Sequence, residues 1–92
     1  MAKFLMLGRY SVEAIKSINA ERTKKVEETI KKSGGKIDLM YALLGRYDLA
    51  FIVDFPSVSE AIKASVALTK LTGIGFTSSP AITVEEFDKI VA

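Results

Sequence analysis

Three apolar stretches of strand length carry large hydrophobic side chains on both of their alternating faces. They are Lys3 to Tyr10 (KFLMLGRY), Lys36 to Leu44 (KIDLMYALL) and Leu49 to Phe55 (LAFIVDF). In the first, Phe4, Met6 and Tyr10 oppose Leu5 and Leu7. In the second, Ile37, Leu39, Tyr41 and Leu43 oppose Met40, Ala42 and Leu44. In the third, Leu49, Phe51, Val53 and Phe55 oppose Ala50 and Ile52. An antiparallel sheet wetted on one side alternates apolar with polar residues. Strands of this kind must be covered on both sides.

Punctuation between the stretches sets the remaining elements. Ser11 to Ile18 is a connector of one or two helical turns. Ala20 to Ser33 is helical and closes on Gly34-Gly35, residues suited to a left-handed stop. One unbroken helix from Ser11 to Ser33 would run about 35 Å. That overshoots the strands it covers, so a break is expected at Ser17 to Asn19. Gly45-Arg46-Tyr47-Asp48 makes a tight connection with Gly45 at positive φ. Pro56 ends the third strand, and Ser57 with Glu60 is a capping box opening a helix to about Leu71. Gly73 stops that helix, and Ile74 to Ser79 is a weaker fourth strand. Thr83 with Glu86 is a second capping box, and Ile82 and Phe87 stand as a hydrophobic staple before a short terminal helix.

The order is β-α-β-β-α-β plus a terminal helix: an α+β, ferredoxin-like single domain over residues 1–92 with a four-stranded antiparallel sheet. Right-handed crossovers place both main helices on one face of that sheet. The other apolar face would exceed the few hundred Å² that monomers expose. It is therefore expected to pack on a second sheet, most simply in a homodimer, with higher homo-oligomers open.

Composition points the same way. The 92 residues are 49% hydrophobic, and a chain of this size buries only about 60–65% of its unfolded surface. Small domains compensate with disulfides, metals or partner subunits. Cysteine and histidine are both absent, which removes disulfides, the common zinc sites, thiol nucleophiles, Ser-His-Asp triads and imidazole bases. No metal and no cofactor is expected. Proton transfer would fall to Asp, Glu, Lys or Tyr. Trp and Gln are missing too and Asn19 is the single Asn, a pattern compatible with a thermophilic source. The Phe4 to Leu7 run is too short for a signal-peptide core and nothing reaches the length of a membrane span, so a cytoplasmic location is expected.

The turn Gly45-Arg46-Tyr47-Asp48, followed by the apolar strand Leu49 to Phe55, resembles the GYD-domain family. The helix ending in Gly34-Gly35-Lys36 and the closing segment Ala81-Ile82-Thr83-Val84-Glu85-Glu86-Phe87 are similar to that family as well. The resemblance implies a ferredoxin-like subunit of the dimeric α/β-barrel type. It brings no activity and so no catalytic residues. A more distant similarity is to the ligand-binding domains of leucine-responsive regulators, which share a Gly-x-Tyr-Asp turn. Their helix-turn-helix finds no room in these residues.

Candidate sites weigh as follows. Gly45 to Asp48 reads first as structure, with Asp48 capping the turn and Tyr47 packing its ring; its functional reading has Arg46 and Tyr47 rimming a pocket for a small anion. Leu7-Gly8-Arg9-Tyr10 repeats the letters of Leu44 to Tyr47, a coincidence given the topology. Both Arg-Tyr pairs nonetheless fall at strand ends, where pockets are built. Arg9, Tyr10, Tyr41, Arg46, Tyr47 and Asp48 are thus the candidate ligand-binding residues. Tyr41 is expected to have a buried ring. Asp38 and Asp54, acidic residues in apolar strands, are candidate general bases if their pKa is raised. Lys24, Lys25, Lys31 and Lys32 read as a solvated face, because Glu21, Glu27 and Glu28 stand four residues before a lysine. Together with a net charge of only +2, this argues against nucleic-acid binding.

The functional expectation is an oligomeric module holding a small hydrophobic or anionic molecule in an apolar inter-sheet cavity, with neither nucleic acid nor membrane as partner. One alternative is a cofactor-independent isomerase or monooxygenase acting on an aromatic or enol-like substrate, by analogy of fold. The other is a domain that serves only to assemble subunits.

Overall fold

A computed structural model describes residues 1–92. Strand β1 (Ala2–Arg9) leads through two helices, α1 (Val12–Lys16) and α2 (Ala20–Lys32), to β2 (Lys36–Ala42). Strand β3 (Leu49–Phe55), helix α3 (Val58–Thr72), β4 (Gly75–Ala81) and α4 (Val84–Val91) follow. The sheet is wholly antiparallel, in the order β2-β3-β1-β4. This is the ferredoxin-like arrangement.

The apolar pattern of β1 and β3 dictates how the layers pack. Phe4 and Met6 of β1 and Phe51, Val53 and Phe55 of β3 are buried against Val26 and Ile30 of α2 and Ala61, Ala64 and Leu68 of α3. Phe4 meets Phe55 edge-on, with ring centroids 5.8 Å apart. Both long helices therefore lie on one face. Leu5, Leu7, Ala50 and Ile52 point the other way, where this chain places no helix over them.

The expected break in the first helical stretch falls at Ser17–Asn19. Ser11 caps α1 by accepting from Ala14 N–H at 3.0 Å, and Asn19 caps α2 by accepting from Arg22 N–H at 2.8 Å. Thr83 likewise caps α4, accepting from Glu86 N–H at 3.1 Å. The Ser57–Glu60 box takes a different form. No backbone N–H reaches the Ser57 side chain, whose hydroxyl instead donates directly to the Glu60 carboxylate.

Two strand readings change. β2 ends at Ala42, two residues earlier than expected, and β4 runs on through Pro80 to Ala81. As an edge strand β4 accommodates a proline. More consequentially, β2 carries a bulge between Ile37 and Leu39. The extra residue reverses the alternation. Ile37 and Met40 pack toward the core, whereas Leu39 and Tyr41 pair with Ile52 and Ala50 on the uncovered face. The strict grouping of Ile37 with Leu39 and Tyr41 is thus corrected. Among the expected helix-surface pairs, no lysine of α2 comes within ion-pair distance of a glutamate; α4 has one such pair, Lys89–Glu85 at 3.6 Å.

The α2–β2 junction is tight. Gly34 takes φ 80°, and a Cβ on Gly35 would lie 2.7 Å from the Phe55 ring and 3.0 Å from the Ile30 carbonyl oxygen. Gly35→Ala is expected to destabilise the fold by about 1–3 kcal/mol, the usual range for overpacking, read as a lowered urea midpoint at unchanged slope.

Candidate functional site

The uncovered sheet face is the one large surface on which chemistry-bearing side chains converge. Its middle is apolar: Leu5 and Leu7 of β1, Ala50 and Ile52 of β3, Leu39 and Tyr41 of β2. β4 contributes Thr77 and Ser79 beside Leu7 and Leu5. Each end carries a different polar group.

At the end of the sheet where β1 starts, Lys3 faces Asp54 across the β1–β3 ladder. The bulge turns Asp38 into the same group. Lys3 Nζ donates to Asp38 Oδ2 and lies 3.3 Å from both Asp54 oxygens. The Lys3 hydrogen bond holds the Asp38 carboxyl below its ordinary range, and bonds to Asp38 and then Asp54 raise the Lys3 ammonium. Lys36, the cross-strand partner of Asp54, adds a second positive charge near the two carboxylates, so the group is ionic without a large net charge beside an apolar surface. Neither aspartate is deeply sequestered, at 28% and 17% side-chain exposure for Asp38 and Asp54.

At the other end stand the residues of the Gly-Arg-Tyr-Asp turn. Asp48 is a staple. Its carboxylate accepts from Tyr10 N–H at 2.8 Å, its own N–H donates to Gly8 O at 2.8 Å, and its carbonyl accepts from Leu43 N–H at 2.8 Å. One residue thereby ties the β2–β3 connection to the end of β1. Gly45 takes φ 139°, and Arg46 lies over the Tyr47 ring at 5.7 Å. Tyr10 is engaged from the helix side, where Arg22 stacks on its ring at 5.6 Å while donating to the Ala14 carbonyl.

Arg9, Tyr10, Arg46, Tyr47 and Asp48 therefore do gather at one end of the sheet. Asp48 and Tyr10 spend their polar groups or ring on holding the chain together. Tyr41 lies on the uncovered face in the expected company of Leu39, but in the single chain its residue surface is 58% exposed, so the expected burial of its ring is corrected. Sequence reasoning singled out Asp38 and Asp54 without their partner. The signal for Lys3 was its place opposite Asp54 once the first and third strands are paired in antiparallel register.

Comparison with known families now bears on this geometry. The GYD domain model matches residues 4–91. The chain belongs to the GYD-domain family. No curated protein matches it. Family membership leaves the activity undetermined.

Two outcomes follow from these contacts. Asp48→Ala removes the acceptor of Tyr10 N–H and is expected to cost about 1–3 kcal/mol, seen as a lower urea midpoint. The pH dependence follows from the Lys3 cluster. A carboxyl whose folded pKa is depressed contributes stability that is present above its unfolded value and fades as pH falls through the folded one. For Asp38 that loss begins below its ordinary 3.8. Lys3, raised from 10.5, contributes stability that is complete below that value and lost above it. Urea titrations at pH 7 and pH 3 should show an acid loss in the wild type that Lys3→Met diminishes.

Proposed function

We propose that this protein is a homo-oligomeric small-molecule-binding module, in which two uncovered sheet faces meet and enclose an apolar cavity. One observation carries the proposal: a sheet face that is apolar at its centre and ionic at one end. Apolar side chains on three adjacent strands, left without a covering layer, make a surface of the kind that is buried against a partner. A second copy related by a twofold axis offers the same surface in return. Sheets pack face to face about 10 Å apart, and short side chains such as Ala50, Thr77 and Ser79 leave room between them. The Lys3–Asp38–Asp54 cluster supplies the few placed polar groups that orient a ligand in an otherwise apolar pocket.

The enzyme alternative calls for a carboxylate pushed upward so as to take a proton near neutrality. Asp38 moves the opposite way, because Lys3 stabilises its charged form. The cluster is better suited to holding a hydrogen-bond donor than to accepting a proton. No helix is long and apolar enough to cross a membrane, and the proposed place of action is the cytoplasm.

Native mass spectrometry tests the proposal, since it reports subunit count and bound mass together. A dimer or its multiple carrying a reproducible extra mass is expected. A compact, soluble monomer would overturn the proposal, and an assembly without extra mass after ligand screening would favour a purely structural role. Leu7→Lys and Ile52→Lys, each placing a charge at the centre of the face, are expected to shift the dimer to monomer in light scattering while the far-ultraviolet circular dichroism is kept.

A further inference from the structure

Sheet-face pairing would leave two other apolar surfaces without a partner. The first is helix α4. None of its residues is buried; Phe87 is 51% and Ile90 72% exposed. Successive residues turn about 100° around a helix, which gathers Val84, Phe87, Ile90 and Val91 on one side. The Glu85–Lys89 pair occupies the opposite side. Glu86 and Asp88 fall on the two borders, so the apolar strip is edged by carboxylates along both flanks.

The second surface is a groove of about 220 Å³ between α3 and β4, on the helix-covered side of the sheet. Phe4 and Ala61 form its floor, with Phe76 and Pro80 on the β4 side. A Ser65–Ser78 hydroxyl contact of 2.6 Å joins helix to strand. Val58, Ile62 and Val66 line its mouth at four-residue spacing, each exposed by half or more. Beyond this stripe, on the side of α3 away from the sheet, helical spacing places Lys63 and Lys70.

We propose that the apolar face of α4 docks into the α3–β4 groove of a second copy of this chain. Three observations select that occupant. The lengths match: Val58 to Val66 spans about 12 Å, as does an eight-residue helix. The charges match: whichever way α4 lies in the groove, one carboxylate border faces the lysine row of α3. The chain's own α4 points elsewhere. Only Ile82 and Thr83 separate it from β4, and its Glu86 shares a cleft with Lys3 and Asp54, which lie on the uncovered face. The groove opens on the opposite side. A contact between two different patches is either exchanged reciprocally between two copies across a twofold axis or runs head to tail and closes around a ring. It is distinct from the self-complementary sheet-face contact proposed above.

The absence of cysteine makes a clean test available. Ile62→Cys and Phe87→Cys are prepared in separate chains of different mass, mixed, and treated with a short bis-maleimide. The expected product joins residue 62 of one chain to residue 87 of the other, in several-fold excess over like-with-like products. Adding Lys63→Glu and Lys70→Glu to the Ile62→Cys chain is expected to reduce it several-fold, with circular dichroism unchanged. The proposal is overturned if no mixed product forms, if 87–87 joining dominates, or if a chain carrying both substitutions crosslinks within itself at high dilution.

Discussion

Both long helices pack on the same face of the sheet, and much else follows from that one-sidedness. β1 and β2 are both antiparallel to β3, so the α1–α2 segment between them must cross over the sheet. β3 and β4 are both antiparallel to β1, and α3 crosses likewise. With both crossovers on one side, Phe4, Met6, Phe51, Val53 and Phe55 acquire a complete hydrophobic setting. Leu5, Leu7 and Ile52 share those strands and receive none within the chain. A 92-residue domain has little interior to spare, and this one leaves Leu5, Leu7, Leu39, Tyr41 and Ile52 without a covering layer of its own.

The same one-sidedness separates the two polar ends in kind. The Gly-Arg-Tyr-Asp end is built from backbone hydrogen bonds, with Asp48 accepting, donating and accepting again around the terminus of β1. Its four letters describe a joint. The Lys3 end is built from side chains alone and lies on the uncovered face, where a facing layer would strip water from it. Hydrogen bonds among charged groups strengthen as water is excluded. The polar group whose strength depends most on what covers it is therefore the one whose members come from three separate strands.

How far the sequence revealed this follows from the range of each interaction. The turns at Ser17–Asn19, Gly34 and Gly73 are local matters of helix length and backbone freedom, and all are legible in the residues themselves. So is the alternation of Phe4, Met6 and Phe51, Val53. The Lys3 cluster was only half visible: Asp38 and Asp54 stand out in apolar strands, but their partner is set by strand register across more than thirty residues. Tyr41 was rightly grouped with Leu39, wrongly with Ile37, and given a burial that a single chain does not provide. The Ser57 hydroxyl meets the Glu60 carboxylate instead of a backbone N–H, a choice between two nearby acceptor and donor arrangements that the four-residue motif does not distinguish.

The bulge in β2 has a further bearing on how this sequence can vary. It gives β2 one residue more than β3 opposes, and that residue, Asp38, is the one that reaches Lys3. Exchanging one apolar side chain for another would leave each residue on its present side. Removing Asp38 itself would restore strict alternation with Ile37 and Leu39 still on their present sides, and would take one carboxylate from the Lys3 cluster. β2 can thus shorten by its bulge residue without reversing a face, and what it would lose is the third strand's share in the charged cluster.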